Sequence, residues 1–239
     1  MAKETNYLEA GFESRMTFVE GAAELSESRY NLVLGGTLAW GFFLNAVLAR
    51  WAVPPLMERL VMRSGGLGSI LLILLLGYFA LVLVGSRMVR SENPAVNFAG
   101  FNLIALPVGI LVGIAVYGYD AEIVTRAALV TAIIALSMMI VSTIVPDVFA
   151  SMGRGLGIAL LITIVVELAA MFLFRSDTVL IDWAVVVIMS LYIGYDWVRA
   201  NAVQRTASNA IAAASSLYLD LINIFLRLLS IMSRSRDRR

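Results

Sequence analysis

The chain has 239 residues, 60% of them hydrophobic, with a mean hydropathy of +0.87 and a formal net charge of +1. A soluble domain averages roughly 45–50% apolar residues, so this composition marks an integral membrane protein, and the near-zero charge offers no bulk field for nucleic acid. Cysteine and histidine are both absent, which excludes disulfides, Cys/His zinc sites, haem ligation through either residue and histidine proton relays.

Residues 1–28 form a polar N-terminal segment with six glutamates and no apolar run of the signal-peptide kind. The first membrane helix is therefore expected to act as its own targeting signal. Helix 1 is predicted over about Tyr30–Val53, stopped by Pro54-Pro55. Helix 2 follows over Gly66–Val89, helix 3 over Ala95–Tyr117 after Asn93-Pro94, and helix 4 over Glu122–Val145, ended by Pro146-Asp147. Helix 5 is predicted over Met152–Phe174. Helix 6 starts near Thr178 and, with no Gly or Pro in "WVRANAVQR", extends to about Arg205. Helix 7 covers Asn209–Met232 after a turn at "TASN", residues 206–209. The expectation is an all-α integral membrane protein: one seven-helix membrane domain over 29–232, then a basic tail over 233–239. Trp51, Trp183, Trp197, Tyr117 and Tyr119 fall near the predicted ends, as interfacial aromatics do.

If all seven helices span, eight cationic residues lie on the N-terminal side and nine on the other, which sets no orientation. If helix 7 re-enters, the balance is twelve to five and both termini are cytosolic. The length of helix 7 favours a full span, the charge rule favours re-entry.

Charges inside the membrane each need a reason, because a charged side chain at mid-bilayer costs about 2.5–3.5 kcal/mol on insertion scales. The candidates are Glu167, Asp196, Asp220 and Arg227. The midpoint between Asp196 and Asp220 is residue 208, inside the predicted turn. Two antiparallel helices leaving that turn carry both carboxylates to one level, roughly 17 Å away. On helix 7, Ser216, Asp220, Asn223 and Arg227 form one polar stripe, while Tyr192, Asp196 and Arg199 share a face of helix 6. Two neighbouring carboxylates in low dielectric titrate as a unit, and their oxygens suit a hard cation such as Ca²⁺, bound in transit. The alternatives are a hydrogen bond between helices for Asp220 and local pairing of Asp196 with Arg199. Arg227 either braces helix 7 or snorkels. Glu167 makes a structural contact or serves as a second pathway carboxylate.

Gly109 and Gly113 in "GILVG", just after Pro107, suggest a kink and close packing of helix 3. "SGGLGS" has no P-loop lysine after it. With no GxSxG and no HExxH, the chain lacks the parts of a standard intramembrane or metal-dependent hydrolase and is read as no enzyme, although two aspartates can form an acid dyad.

Three segments carry a resemblance. "SLYLDLINIFLRLLSI" resembles the C-terminal signature of the transmembrane Bax inhibitor motif (TMBIM) family. "SLYIGYDWVRA" resembles that family's helix 6 signature, and "PDVFASMG" its short motif between helices 4 and 5, without the usual basic residue. The 24-residue spacing from Asp196 to Asp220 is similar to that of the bacterial calcium-leak branch. The resemblance implies seven helices with helix 7 central, surrounded by helices 1–6. It also implies a pH-sensitive calcium leak in which Asp196 and Asp220 sense protons. An arginine at the end of helix 2, here Arg87 or Arg90, latches onto Asp196. No cofactor is implied, and Ca²⁺ is the transported ion. The expected setting is the bilayer of a bacterial inner membrane, multi-pass, with the N-terminus cytosolic. Two other readings remain: a membrane stress or cell-death regulator that binds a membrane protease or other integral protein, and a proton-coupled cation antiporter.

Overall fold

The computed structural model describes residues 23–62, 67–170 and 179–237. Among these, every regular element is helical. Helix α1 spans Glu27–Val47 and passes through a π-helical turn, Leu48–Ala52, into α2, Val53–Met62. Pro54-Pro55 therefore does not stop the first helix. The two prolines fall in the first turn of α2, where their missing N–H groups cost little, and the wider π turn just before them resets the ladder. Next come α3, Leu67–Met88, and α4, Pro94–Val116. Asn93 caps α4, its side chain accepting from the Ala95 amide at 2.9 Å.

Helix α5, Ala121–Ile144, ends one residue before Val145 and is followed by α6, Pro146–Ser151, a short helix where the sequence predicts only a boundary. Proline at its first position starts a helix as readily as it ends one. Then come α7, Gly153–Ala169, α8, Val179–Ala202, and α9, Ala207–Asp237. The predicted end of helix 5, beyond Ala170, lies outside the described residues.

The turn between α8 and α9 lies at 203–206, not 206–209. The reason is a cap: the Thr206 hydroxyl accepts from the Asn209 amide at 3.1 Å, which draws Ala207, Ser208 and Asn209 into the first turn of α9. Helix 6 accordingly stops at Ala202, short of the expected Arg205.

Five segments among the described residues are long and apolar enough to cross a membrane: Glu27–Arg59, Pro94–Val116, Ala121–Ile144, Val179–Ala202 and Ala207–Arg234. They differ in how they meet their surroundings. In Ala121–Ile144 only 22% of the most apolar window is buried, against 67% in Ala207–Arg234. Leu129, Ile133, Leu136 and Ile140 of α5 are all exposed, as a lipid-facing surface requires.

Internal contacts group the chain into two units: one of residues 119–203 and 216–239, the other of 15–118 and 204–215, as far as these are described. The second unit is built on close backbone approach. A Cβ on Gly109 would stand 2.7 Å from Asn45 Oδ1 and from Leu48 Cδ1, and one on Gly113 would stand 3.1 Å from Ala49 Cα. The glycines of "GILVG" thus let α4 press against the π turn and its flanks. Gly85 and Gly100 do the same for α3 and α4, where a Cβ on Gly85 would lie 2.7 Å from the Gly100 carbonyl oxygen. Buried Asn97 donates to the carbonyls of Val89 at 2.8 Å and Ser208 at 3.3 Å, and Ser208 donates to the Glu92 carbonyl at 2.8 Å. These bonds fix the first turn of α9 within that unit.

Candidate functional site

The first unit contains all four charged residues that the sequence places inside the membrane. They fall into two clusters along α9.

The upper cluster begins with packing. Phe149 of α6 lies on the bare backbone of Gly194, and the ring of Tyr195 lies on Gly153, where a Cβ would stand 2.7 Å from the ring. Neither glycine could carry a side chain without displacing an aromatic ring. This joins "PDVFASMG" to "SLYIGYDWVRA" and fixes Tyr195. The Arg199 guanidinium then sits over the Tyr195 ring, 5.7 Å from its centroid. Arg199 is 2% exposed and is among the largest fully buried side chains in the protein. Its Nη2 lies 3.3 Å from Asp196 Oδ1, one turn back on α8, and donates to Ser216 Oγ of α9 at 2.9 Å.

Arg199 is therefore a cross-link between α8 and α9. Asp196 is three residues before it, and Asp220 is four residues after Ser216. Both aspartates are buried, 3% and 9% exposed, and each lies about one helical turn from the cross-link. The turn at 203–206 removes the symmetry about residue 208 on which their common level rests in the sequence: Asp196 lies six residues before the end of α8 and Asp220 thirteen after the start of α9. Arg199 thus holds the buried Asp196 carboxylate and the Ser216 hydroxyl, and buried Asp220 follows one turn beyond Ser216 on α9.

The lower cluster is a fork. Arg227 Nη1 and Nη2 reach Glu167 Oε1 and Oε2 of α7 at 2.6 and 2.7 Å, and Nη1 also reaches Asp182 Oδ1 of α8 at 2.8 Å. Asp182 is 1% exposed and receives Arg234 Nη2 at 3.3 Å and the Ser230 hydroxyl at 3.4 Å. Two carboxylates meet two arginines, with the planar guanidinium of Arg227 holding one of them bidentately. Sequence reasoning misses Asp182. It stands near the start of its helix, where an acid passes for an interfacial residue, and its partners are 45 and 52 residues away.

The remaining predicted residues are placed as follows. Asn223 is exposed on α9, its Nδ2 donating to the Leu219 carbonyl at 2.9 Å. Arg87 lies in the last turn of α3 and Arg90 in the turn beyond it; both are exposed and both belong to the other unit from Asp196. Among the described residues no group of three or more His, Cys, Asp or Glu side chains is gathered to hold a metal ion.

Long apolar helices with charges gathered inside define a multi-pass integral membrane protein. The chain belongs to the family described as inhibitor of apoptosis-promoting Bax1, whose model matches residues 27–237. It is 31% identical over 156 residues to an uncharacterized protein of Helicobacter pylori strain J99, covering 63% of this chain and 67% of that protein. It is also 28% identical over 188 residues to the uncharacterized protein YrjE of Lactococcus lactis, covering 74% of this chain and 79% of that one.

Proposed function

We propose that this protein is a passive, pH-sensitive calcium leak of a bacterial inner membrane, with Asp196 and Asp220 as its proton-sensing pair. The observation that supports the reading is the upper cluster: Arg199 holds buried Asp196 and cross-links α8 to α9 at Ser216, one turn from buried Asp220. A single buried ion pair could be structural, but a second buried carboxylate one turn away brings a further negative charge into the region when both acids are ionised. Such a group is expensive to keep in a membrane interior. It has a use if protons and cations exchange there: protonation removes that charge, and a passing Ca²⁺ offsets it with oxygen ligands.

Arg199 deepens this reading. It holds Asp196 from the same helix, so any latch at Arg87 or Arg90 has to work against or alongside an arginine already in place. In the proposed scheme α9 is the central one of seven spans, Ca²⁺ is cargo rather than cofactor, the protein is no enzyme, and the N-terminus is cytosolic. The relatives reported above are bacterial, which supports a bacterial setting, and the apolar helices support the membrane.

The test is flux from liposomes reconstituted with the purified protein and loaded with a calcium dye, over a series of pH values. Calcium movement above that of empty liposomes, with a pH dependence lost in Asp196→Asn and Asp220→Asn, is the expected result. Absence of flux sinks the leak. Uphill movement driven by a proton gradient would make the protein an antiporter. Co-purification with a membrane protease, without flux, would make it a regulator.

A further inference from the structure

Between residues 207 and 234, α9 exposes a single residue, Asn223. Its neighbours Leu221, Ile222, Ile224 and Phe225 are all buried. The opening onto α9 is therefore narrow, and it coincides with the polar stripe. Elsewhere the exposed large side chains midway along the spans are apolar, such as Leu136, Ile140 and Leu161, and the exposed polar ones on α5 beyond Arg126, Ser137 and Thr143, are small hydroxyls. A lipid-facing position on α9 would be expected to look like those, because hydrocarbon offers an amide no partner for its second group.

The amide is held in a definite way. Its Nδ2 bonds back to the Leu219 carbonyl at 2.9 Å, which turns Oδ1 away from the helix. An amide oxygen presented outward is a ligand for a hard cation or for its bound water. Asp220 stands three residues before Asn223 and Arg227 four residues after it. On the Asp220 side lie the buried carboxylates of Asp220 and Asp196; on the Arg227 side Glu167 and Asp182 are held by arginines. Carboxylate and amide oxygens along one face suit a cation.

We infer that Asn223 lines a water-filled opening on the polar face of α9 and contacts the hydrated cation on its way past Asp220. This rests on the proposed cation route. The natural absence of cysteine makes the test direct, since a thiol placed on α9 is the only one in the protein. Asn223→Cys, Leu221→Cys and Leu136→Cys are reconstituted and treated with membrane-impermeant methanethiosulfonates, one cationic and one anionic, and with a maleimide that partitions into lipid.

The thiol of Asn223→Cys should react with the cationic reagent at least about tenfold faster than that of Leu221→Cys, because only an exposed thiolate attacks. Its preference for the cationic over the anionic reagent should exceed that of a free thiol in solution, and excess Ca²⁺ should slow the reaction. Labelling of the Asn223→Cys protein by the lipid-soluble maleimide alone, as expected for Leu136→Cys, overturns the inference. Calcium flux in the parent protein without hydrophilic labelling removes the opening and leaves the leak. Rapid hydrophilic labelling without parent flux keeps the opening and sinks the route it was assigned to. Should Asn223→Cys fail to elute as folded protein, Asn223→Gln and Asn223→Leu are compared for calcium flux in the liposome assay, where flux kept in the glutamine variant and reduced in the leucine variant is expected and equal flux in the two overturns the inference.

Discussion

The two charge clusters along α9 use the same residue types in different geometries. The lower one joins α7, α8 and α9 through a bidentate fork at 2.6 and 2.7 Å and a third contact at 2.8 Å. Two acids meet two arginines there, and the charges cancel. The upper one joins α8 and α9 through a longer ion contact of 3.3 Å and a hydrogen bond to Ser216. It is the more deeply buried, with Asp196 held by Arg199 and Asp220 one turn beyond Ser216. Burial alone therefore does not distinguish a brace from the sensor proposed above. What distinguishes the two clusters in the structure is how short the contacts are and how many helices they tie together.

The comparison breaks most visibly at Arg227. In Arg227→Met, Glu167 and Asp182 lose their shared countercharge, and Asp182 is buried with Arg234 and Ser230 left beside it. Removing one partner of a buried network costs about 3–5 kcal/mol; because Arg227 and Glu167 are each about a quarter exposed, the lower end, about 3 kcal/mol, is expected. Thermal unfolding of the purified protein in detergent reads this loss. A melting temperature equal to that of the parent would mean that the fork is ornamental.

The stripe Ser216, Asp220, Asn223, Arg227 follows from helical periodicity alone, and so does the common face of Asp196 and Arg199. The partners of Arg227 do not, because a helical period says which residues share a face but not which helix lies opposite. Asp182 becomes legible only when α8 is placed against α9. The capping of α9 by Thr206 is open to a closer reading, since Thr, Ser and Asn cluster at 206–209, but the same residues also make a turn. Pro54-Pro55 misleads for a similar reason: a proline pair ends a helix or begins one, and a π turn before it lets the chain do both. Phe149 and Gly153, by contrast, gain a physical explanation from the structure. Their motif is the surface on which Gly194 and Tyr195 seat, and Tyr195 in turn carries Arg199.

At the upper cluster, Arg199→Met keeps the volume and removes the charge. The ion contact with Asp196, the bond to Ser216 and the contact over the Tyr195 ring are lost together, but the ion contact is long, so a stability loss of about 3 kcal/mol, no larger than that of Arg227→Met, is expected. The larger change should be in transport: with the internal positive charge gone, calcium leak at neutral pH should rise several-fold in the liposome assay. Flux reduced to the level of empty liposomes would show that Arg199 holds the route open rather than opposing cations in it. Asp220→Asn separates the two properties further. An isosteric change that removes the carboxylate charge should alter stability by less than about 1 kcal/mol, while the slope of flux against pH flattens. A large drop in stability with the slope intact would reclassify the upper cluster as a brace.

The smallest effect belongs to a pair that lies in neither cluster. Glu122 and Arg126 form an ion pair one turn apart at the start of α5, with side chains 66% and 70% exposed. In the fork below Asp220, geometry is imposed by three packed helices and the surroundings are poor in water. Here the two side chains must order themselves, and solvent screens what they gain, so Glu122→Ala should cost no more than about 0.5 kcal/mol. Raising the salt concentration should erase even that difference, whereas it should leave the Arg227→Met deficit nearly unchanged, because buried charges are screened far less. Equal salt sensitivity of the two deficits would mean that water reaches the fork as freely as it reaches the surface, and the reading of the lower part of α9 as a brace would no longer stand.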